Sequence, residues 1–397
     1  MLEFPVEPQS PPGCPFDPPP SYRELLDQPG LSKARIWSGT EAWLIARFDD
    51  YREVCRDFAT FSSVGDDPNF PYSSAGAKPL SRSLVNADPP DHPRLRRLTA
   101  AFFAKRKMEQ ISPAIGSLAD ELLDEVEVRG HPADLVASYA KPIPSLIVFH
   151  LLGLPREERR AMHQLLDVLF GAKTPVEEVE GAARTFEQAV THFVTTEGVV
   201  ESDGLIATLR REAVPTGSMT IEELRDFVVI LIVGGFESTA NTIAEGIALL
   251  LMHPDQLDQV RTDEDLWPNA VEEIVRITSV THRGRRRIAS KECVFAEEHI
   301  SRGDAVIALE AAANRDPRRF ENPDTFDIRR SNARVHVGFG YGPHLCLGAP
   351  LARLELAIAL KQLFRRFPRL QLAVTPDELD FMHDWHLRGL RTLPVTW

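Results

Sequence analysis

The stretch from Thr220 to Met252 constrains the fold more than any other. Thr220-Ile221-Glu222-Glu223 has the form of a capping box, and the residues that follow run apolar from Phe227 through Phe236 and on to about Met252. At about 1.5 Å per residue, a helix of this length crosses a whole domain, so the rest of the chain must pack around it. Its middle is not ordinary core: Gly234-Gly235-Phe236-Glu237-Ser238-Thr239-Ala240-Asn241 sets two glycines, a carboxylate and two hydroxyls among apolar neighbours. Each glycine costs a helix about 1 kcal/mol, and an unpaired buried carboxylate costs more. These residues mark either a helix crossing with satisfied polar groups or a site. For a site, the glycines admit something to the backbone, the hydroxyls bond to carbonyls four residues back and kink the helix, and Glu237 carries protons. An acid in mid-run argues against a membrane span.

Residues 339–348, Phe-Gly-Tyr-Gly-Pro-His-Leu-Cys-Leu-Gly, are the second fixed point. Gly340, Gly342 and Gly348 permit positive φ or close approach and Pro343 fixes φ, which predicts a rigid, tightly turned loop. Leu347, Leu351, Leu354 and Ile358 then recur at helical spacing, predicting a helix from just past Cys346 to about Phe364. A cysteine at a helix N-terminus meets unsatisfied N–H groups and the positive dipole end, which lowers its pKa. Such a thiolate serves as a metal ligand or a nucleophile; the alternative is an inert buried thiol.

At 397 residues the chain suggests two domains or one unusually large one. With 45 basic and 58 acidic residues its net charge is −13, against general binding of nucleic acid or anionic membrane. Cys14, Cys55, Cys293 and Cys346 lie far apart without a CxxC pair, so neither a zinc site nor a disulfide framework is indicated, and a reducing cytoplasm fits best. Residues 1–20, rich in proline, read as an extended lead-in on the surface, with no signal peptide or anchor.

Residues 37–48 read as a hairpin strand, Asp49 to about Phe58 as a short amphipathic helix, and 62–90 as a polar loop long enough to be a substrate-facing lid. Asp88-Pro89-Pro90-Asp91-His92 opens a helix on which His92 and Arg96, four apart, form an anion site or a solvated face. Between Arg94 and Lys107 stand six basic residues and no acid, a patch for an acidic partner, for nucleic acid or for solvent. Residues 109–260 are mostly helical by pattern. Glu273 and Arg276 read as a surface pair, Arg283, Arg285, Arg286 and Arg287 as a basic cluster before strand-like stretches at 294–295 and 304–307, and 314–330 as irregular polar chain.

Taken together, these segments resemble the cytochrome P450 family of haem-thiolate monooxygenases, of the soluble bacterial type. The loop 339–348 matches the family's FGxGxHxCxG signature, Glu273-Ile-Val-Arg276 its ExxR pair, Asn314-Arg-Asp-Pro317 with Phe320 its irregular segment, and Gly234-Gly-Phe-Glu-Ser-Thr its oxygen-binding central helix. The resemblance implies a mainly α fold with a small β portion, one domain over 1–397, with haem b between the central helix and the cysteine loop. By resemblance Cys346 is the iron ligand; His92, Arg96, Arg287 and His344 bind the haem propionates, with Phe339, Gly348 and Gly235 also lining the cofactor; and Glu273, Arg276 and Arg330 form a buried network instead of a surface pair. Glu237, Ser238 and Thr239 are the implied catalytic residues. One departure is Ser238, where the family usually carries threonine; serine keeps the hydroxyl but not the methyl that restricts its rotamer.

The implied reaction is insertion of one oxygen atom from O2 into a small organic substrate, by hydroxylation or O-dealkylation. No flavin or nicotinamide fingerprint occurs in the sequence, so electrons are expected from an acidic ferredoxin with an NAD(P)H-dependent reductase, docking on Arg94–Lys107 of a cytoplasmic monomer. The other readings are a peroxygenase driven by H2O2 and a haem-binding sensor without turnover. The pocket is expected from residues 62–88, 165–195, 230–239, 279–285 and 381–390, with Arg283 or Arg285 pointing to an anionic group on the substrate.

Overall fold

The structure is a computed structural model and describes residues 2–4, 15–72, 84–170, 174–382 and 387–397. The central helix spans Ile221–Met252. Both halves of its capping box form: the Thr220 hydroxyl accepts the Glu223 N–H at 3.1 Å, and the Glu223 carboxylate accepts the Thr220 N–H at 2.9 Å. Contrary to the expected kink, the helix runs unbroken through Gly234 and Gly235. Packing outweighs the propensity cost, because residues 239 to 250 are buried without interruption. The helix is long and apolar enough to cross a membrane, but 67% of its most apolar stretch is covered by the protein itself. That cover comes from helices Pro142–Leu152, Val176–Thr195, Trp267–Thr278 and Ala349–Arg366.

The small β portion is chiefly a six-stranded sheet in the spatial order Leu2–Phe4, Ser32–Ile36, Glu41–Ile45, Ala305–Ala308, Arg285–Ala289, Phe61–Ser62. The hairpin expected in 37–48 is the turn and second strand of the Ser32–Ile36 and Glu41–Ile45 pair, with Ala34 opposite Ala42. Helix Phe48–Arg56 follows. Strand Arg285–Ala289 matters most for the site. Its alternation sends Arg285 and Arg287 to one face and Arg286 to the other, where Arg283 and Arg286 act electrostatically on the buried Tyr22.

The proline-rich lead-in is more than a surface strap. Leu2–Phe4 pairs in parallel with Ser32–Ile36, and Phe16 is fully buried, its ring edge-on to Phe381 at 5.6 Å. Burying one large ring outweighs the surface preference of the prolines around it. Residues 5–14, with Cys14, lie outside the described residues, as do 73–83 of the expected lid and 171–173 and 383–386 of the expected pocket segments.

Candidate active site on the cysteine loop and the central helix

Two glycines set the course of the loop. Gly340 has φ +75° and a Cβ there would lie 2.8 Å from the Arg285 guanidinium; Gly342 has φ +72° and a Cβ would lie 2.6 Å from the Cys55 carbonyl oxygen. Any side chain at either position is excluded twice over, by backbone strain and by lack of space. The loop closes where the Cys346 N–H donates to the Phe339 carbonyl at 2.8 Å, and the Arg353 guanidinium covers the Phe339 ring at 4.5 Å. Helix Ala349–Arg366 starts three residues after the cysteine, with Gly348 as its cap.

Cys346 keeps accessible surface, yet the protein packed around its thiol desolvates it. Burial raises the thiol pKa, against the Arg285 charge and the Gly348 N–H. The expected depression of the thiol is therefore not met. Desolvation exceeds the contribution of a helix end that begins beyond the cysteine.

Behind the loop, Glu273 and Arg276 are both wholly buried. Arg276 donates to both Glu273 oxygens, at 2.7 and 2.8 Å, and to the carbonyls of Asn314 at 2.9 Å and Pro323 at 2.7 Å. Arg330 completes the set, donating to Glu273 at 3.0 Å and to the carbonyls of Glu321 and Thr325. The surface-pair reading is overturned, and Arg330 stands where the resemblance put it. The network thus holds the irregular chain 314–330 by its carbonyls, which have no regular partners of their own.

A cluster of bases meets near the loop. The rings of His92 and His344 lie 4.1 Å apart, His344 Nε2 is 3.1 Å from the Ser63 hydroxyl, and His92 Nε2 is buried without a partner. Burial and then the Arg287 charge hold His344 down to about 2, and burial and Arg96 lower His92. Arg287 is buried, spending one N–H on the Arg286 carbonyl. Arg96 lies within the field of Cys346. Two imidazoles held uncharged by burial thus stand beside two guanidiniums.

On the central helix, Gly234 is exposed with nothing within 4 Å of where its Cβ would be, whereas Gly235 faces Val148 at 3.8 Å. Ser238 shares the open face and donates to the Gly234 carbonyl at 2.7 Å; Glu237 and Thr239 are buried. The space therefore lies over Gly234, not over the Gly235 side of the helix.

A family model described as Cytochrome P450 matches residues 145–391. Cytochrome P450-SU2 of Streptomyces griseolus is 36% identical over 97% of this chain and 95% of its own length. The crystal structure of GfsF superposes with a TM-score of 0.94 at 37% identity, covering 100% of both chains, and that of mycinamicin VIII C21 methyl hydroxylase MycCI from Micromonospora griseorubida, bound to mycinamicin VIII, with 0.90 at 32% and the same coverage. The chain belongs to the cytochrome P450 family. Its fold is the P450 fold, and it is a haem-dependent monooxygenase.

The residues of this P450 fit a haem: an accessible cysteine with a desolvated thiol, a bare glycine on the central helix, and a buried imidazole nitrogen without a partner among two arginines. Sequence reasoning missed a second anchor. Glu272, beside the network, accepts from Arg353 at 2.8 and 3.1 Å and pairs with His336 at 2.9 Å. Burial opposes its charge, but these donors hold its carboxyl down to about 2. Its signal was Arg353 among the apolar positions of the cysteine helix. The anionic-substrate lead fails for Arg285, which this P450 ties to Glu310 at 3.2 Å and to the Tyr51 hydroxyl at 3.0 Å.

Proposed function

We propose that Cys346 would hold haem b through its thiolate, that His92, Arg96, Arg287 and His344 would bind its propionates, and that residues 1–397 act as one unit around it. Bound haem supplies the O2-activating chemistry, which thiolate donation turns toward O–O cleavage. The observation that carries the reading is an accessible cysteine, its thiol desolvated, near a cluster in which the buried His92 Nε2 has no hydrogen-bond partner beside Arg96 and Arg287. Phe339 and the Gly348 N–H fix the sulfur and moderate its donation. Arg285 stays tied to Glu310 and Tyr51.

Glu237 and Ser238 pass protons to the oxygen side, with buried Thr239 supporting the helix. Ser238→Ala is expected to lower product formed per NAD(P)H by roughly tenfold, and Ser238→Thr to retain or improve it, since the added methyl fixes the rotamer. An alanine variant as well coupled as wild type removes the relay.

For the substrate we infer an apolar, largely aliphatic molecule. Leu165, Leu169, Phe170 and Leu231 offer half-buried apolar surface beside the exposed Gly234, and relatives bear the names mycinamicin VIII C21 methyl hydroxylase and pentalenic acid synthase. Electrons are expected from an acidic ferredoxin and its reductase. Arg94 is tied to Glu223 and Asp91, which leaves the exposed Arg97, Lys105 and Arg106 to meet the partner, Lys105 lying 3.9 Å from Glu109. Turnover with a ferredoxin system and O2, inhibited by salt and losing that salt dependence in Arg97→Glu/Lys105→Glu, supports this; turnover with peroxide alone would favour the peroxygenase. A net charge of −13 fits a soluble cytoplasmic monomer, which sedimentation of the purified protein checks.

A further inference from the structure

One face of the central helix continues past Ser238 as a polar stripe that neither the core nor the reaction so far accounts for. At 100° per residue, Gly234, Ser238, Asn241, Thr242 and Glu245 fall within about 100° of one another. The Ser238 hydroxyl donates to the Gly234 carbonyl and the Thr242 hydroxyl to the Ser238 carbonyl at 2.8 Å, so both hydroxyl oxygens keep lone pairs free to accept. Three residues beyond lies Glu245, with no exposed surface and no hydrogen-bond partner for either carboxylate oxygen. A buried carboxylate so placed costs several kcal/mol unless it takes a proton or a counter-charge.

The counter-charge is near but not bonded. Arg388, on the C-terminal segment, brings Nε to 3.8 Å from Glu245 and spends its other nitrogens on the carbonyls of Phe16, at 2.9 Å, and Pro15. Its own carbonyl accepts from Asn241 at 2.8 Å. Beyond Arg388 lies a cavity of about 30 Å³, bordered also by Phe16, Asp17, His282 and Arg315, with room for about two waters. Among the described residues, Arg388 is the charged group that acts on Glu245; burial dominates and holds the carboxyl up at about 7.

We propose that Glu245 is the proton reservoir behind Ser238, filled from water at the Arg388 cavity. In the step, the Glu245 O–H bond breaks and its proton passes by way of the Thr242 hydroxyl and water to the Ser238 oxygen, roughly 10 Å along one helix face. The carboxylate left behind is stabilised by Arg388 and takes up a proton from bulk solvent, relayed by water at the Arg388 cavity, so one proton enters for each one passed on. Glu245 touches neither substrate nor cofactor and acts through Ser238. The inference therefore rests on the proton-passing role given to Ser238.

The test uses the substrate-free ferric protein first. Infrared difference titration should show a protonated carboxyl band lost with a midpoint near pH 7 and absent in Glu245→Gln. The same protonation has a sign for stability. The folded protein holds a proton that the unfolded chain releases above its ordinary carboxyl value of 4.5, so this contribution to stability falls as pH rises from about 4.5 to 7 and stays low above it. Glu245→Gln should flatten that part of the profile. In turnover, Glu245→Gln should lower product per NAD(P)H at least about threefold and change the solvent isotope effect, with Glu245→Asp restoring part of both. No titrating carboxyl assignable to Glu245, or a Glu245→Gln enzyme coupled like wild type with the same isotope effect, overturns the proposal. A well-coupled Ser238→Ala enzyme would instead remove the reading beneath it, while the infrared titration still decides whether Glu245 holds a proton.

Discussion

Arg276→Ala should destabilise the fold by about 3–5 kcal/mol, as expected when one partner of a buried ion pair is removed and the other stays behind. Total stability for a protein is typically only about 5–15 kcal/mol, so the variant should be largely unfolded or haem-free at growth temperature. The reason lies in what Arg276 holds: both oxygens of the fully buried Glu273 and the carbonyls of Asn314, Pro323 and Thr325. Arg276→Lys keeps the charge but not the planar fork, and should recover only part of the loss. Urea unfolding of wild type, both variants and Arg353→Ala is the measurement. Arg353 is partly exposed, and Glu272 retains His336 when it is lost, so it should cost clearly less. An Arg276→Ala midpoint at or above that of Arg353→Ala would show that the network is not what holds the irregular segment.

Cys346→Ser should leave the fold nearly intact and abolish turnover. The Cys346 N–H still reaches the Phe339 carbonyl whatever the side chain, and the glycines that shape the loop are untouched. A hydroxyl, however, neither ionises as readily as a thiol nor donates electrons as a thiolate does. Activity should therefore fall by more than the roughly 10–100-fold that loss of an outer partner of a metal site typically costs. Haem content, turnover and the urea midpoint measured on one preparation separate the effects. Retained turnover would dismiss Cys346 as the ligand, and a collapsed urea midpoint would mean the loop depends on the sulfur itself.

How much of this was legible in the sequence depended on how local each feature is. The central helix could be drawn to the residue because Thr220 and Glu223 are three apart and cap it reciprocally. The loop was legible because its glycines and proline dictate backbone, while strand alternation separates Arg286 from Arg285 and Arg287 without choosing between those two. The thiol's direction of shift was misjudged because burial of the sulfur outweighs a helix end that starts at residue 349 and not just past Cys346. Pairings across long separations were illegible. Helical spacing places Glu272 on a face of its helix, but says nothing of an arginine 81 residues later. Likewise nothing beside Glu245 announces Arg388. The burial of Phe16 was hidden because a proline-rich run has no periodicity to betray an inward-facing ring.

The way the loop is seated bears on whether the chain can be divided. Gly342 turns against the Cys55 carbonyl, His344 rests on His92 and Ser63, and Arg96 acts on Cys346. All four of those supports precede residue 145, where the match to the family model begins, within the 97% of the chain that Cytochrome P450-SU2 resembles. The stretch carrying the recognisable signature is therefore not a severable module. A fragment from 145 onward would keep the sulfur, the central helix and the buried arginine network, yet lose the surface on which the loop rests and two of the four residues proposed to hold the propionates, so the matched stretch and the proposed pocket do not share a boundary.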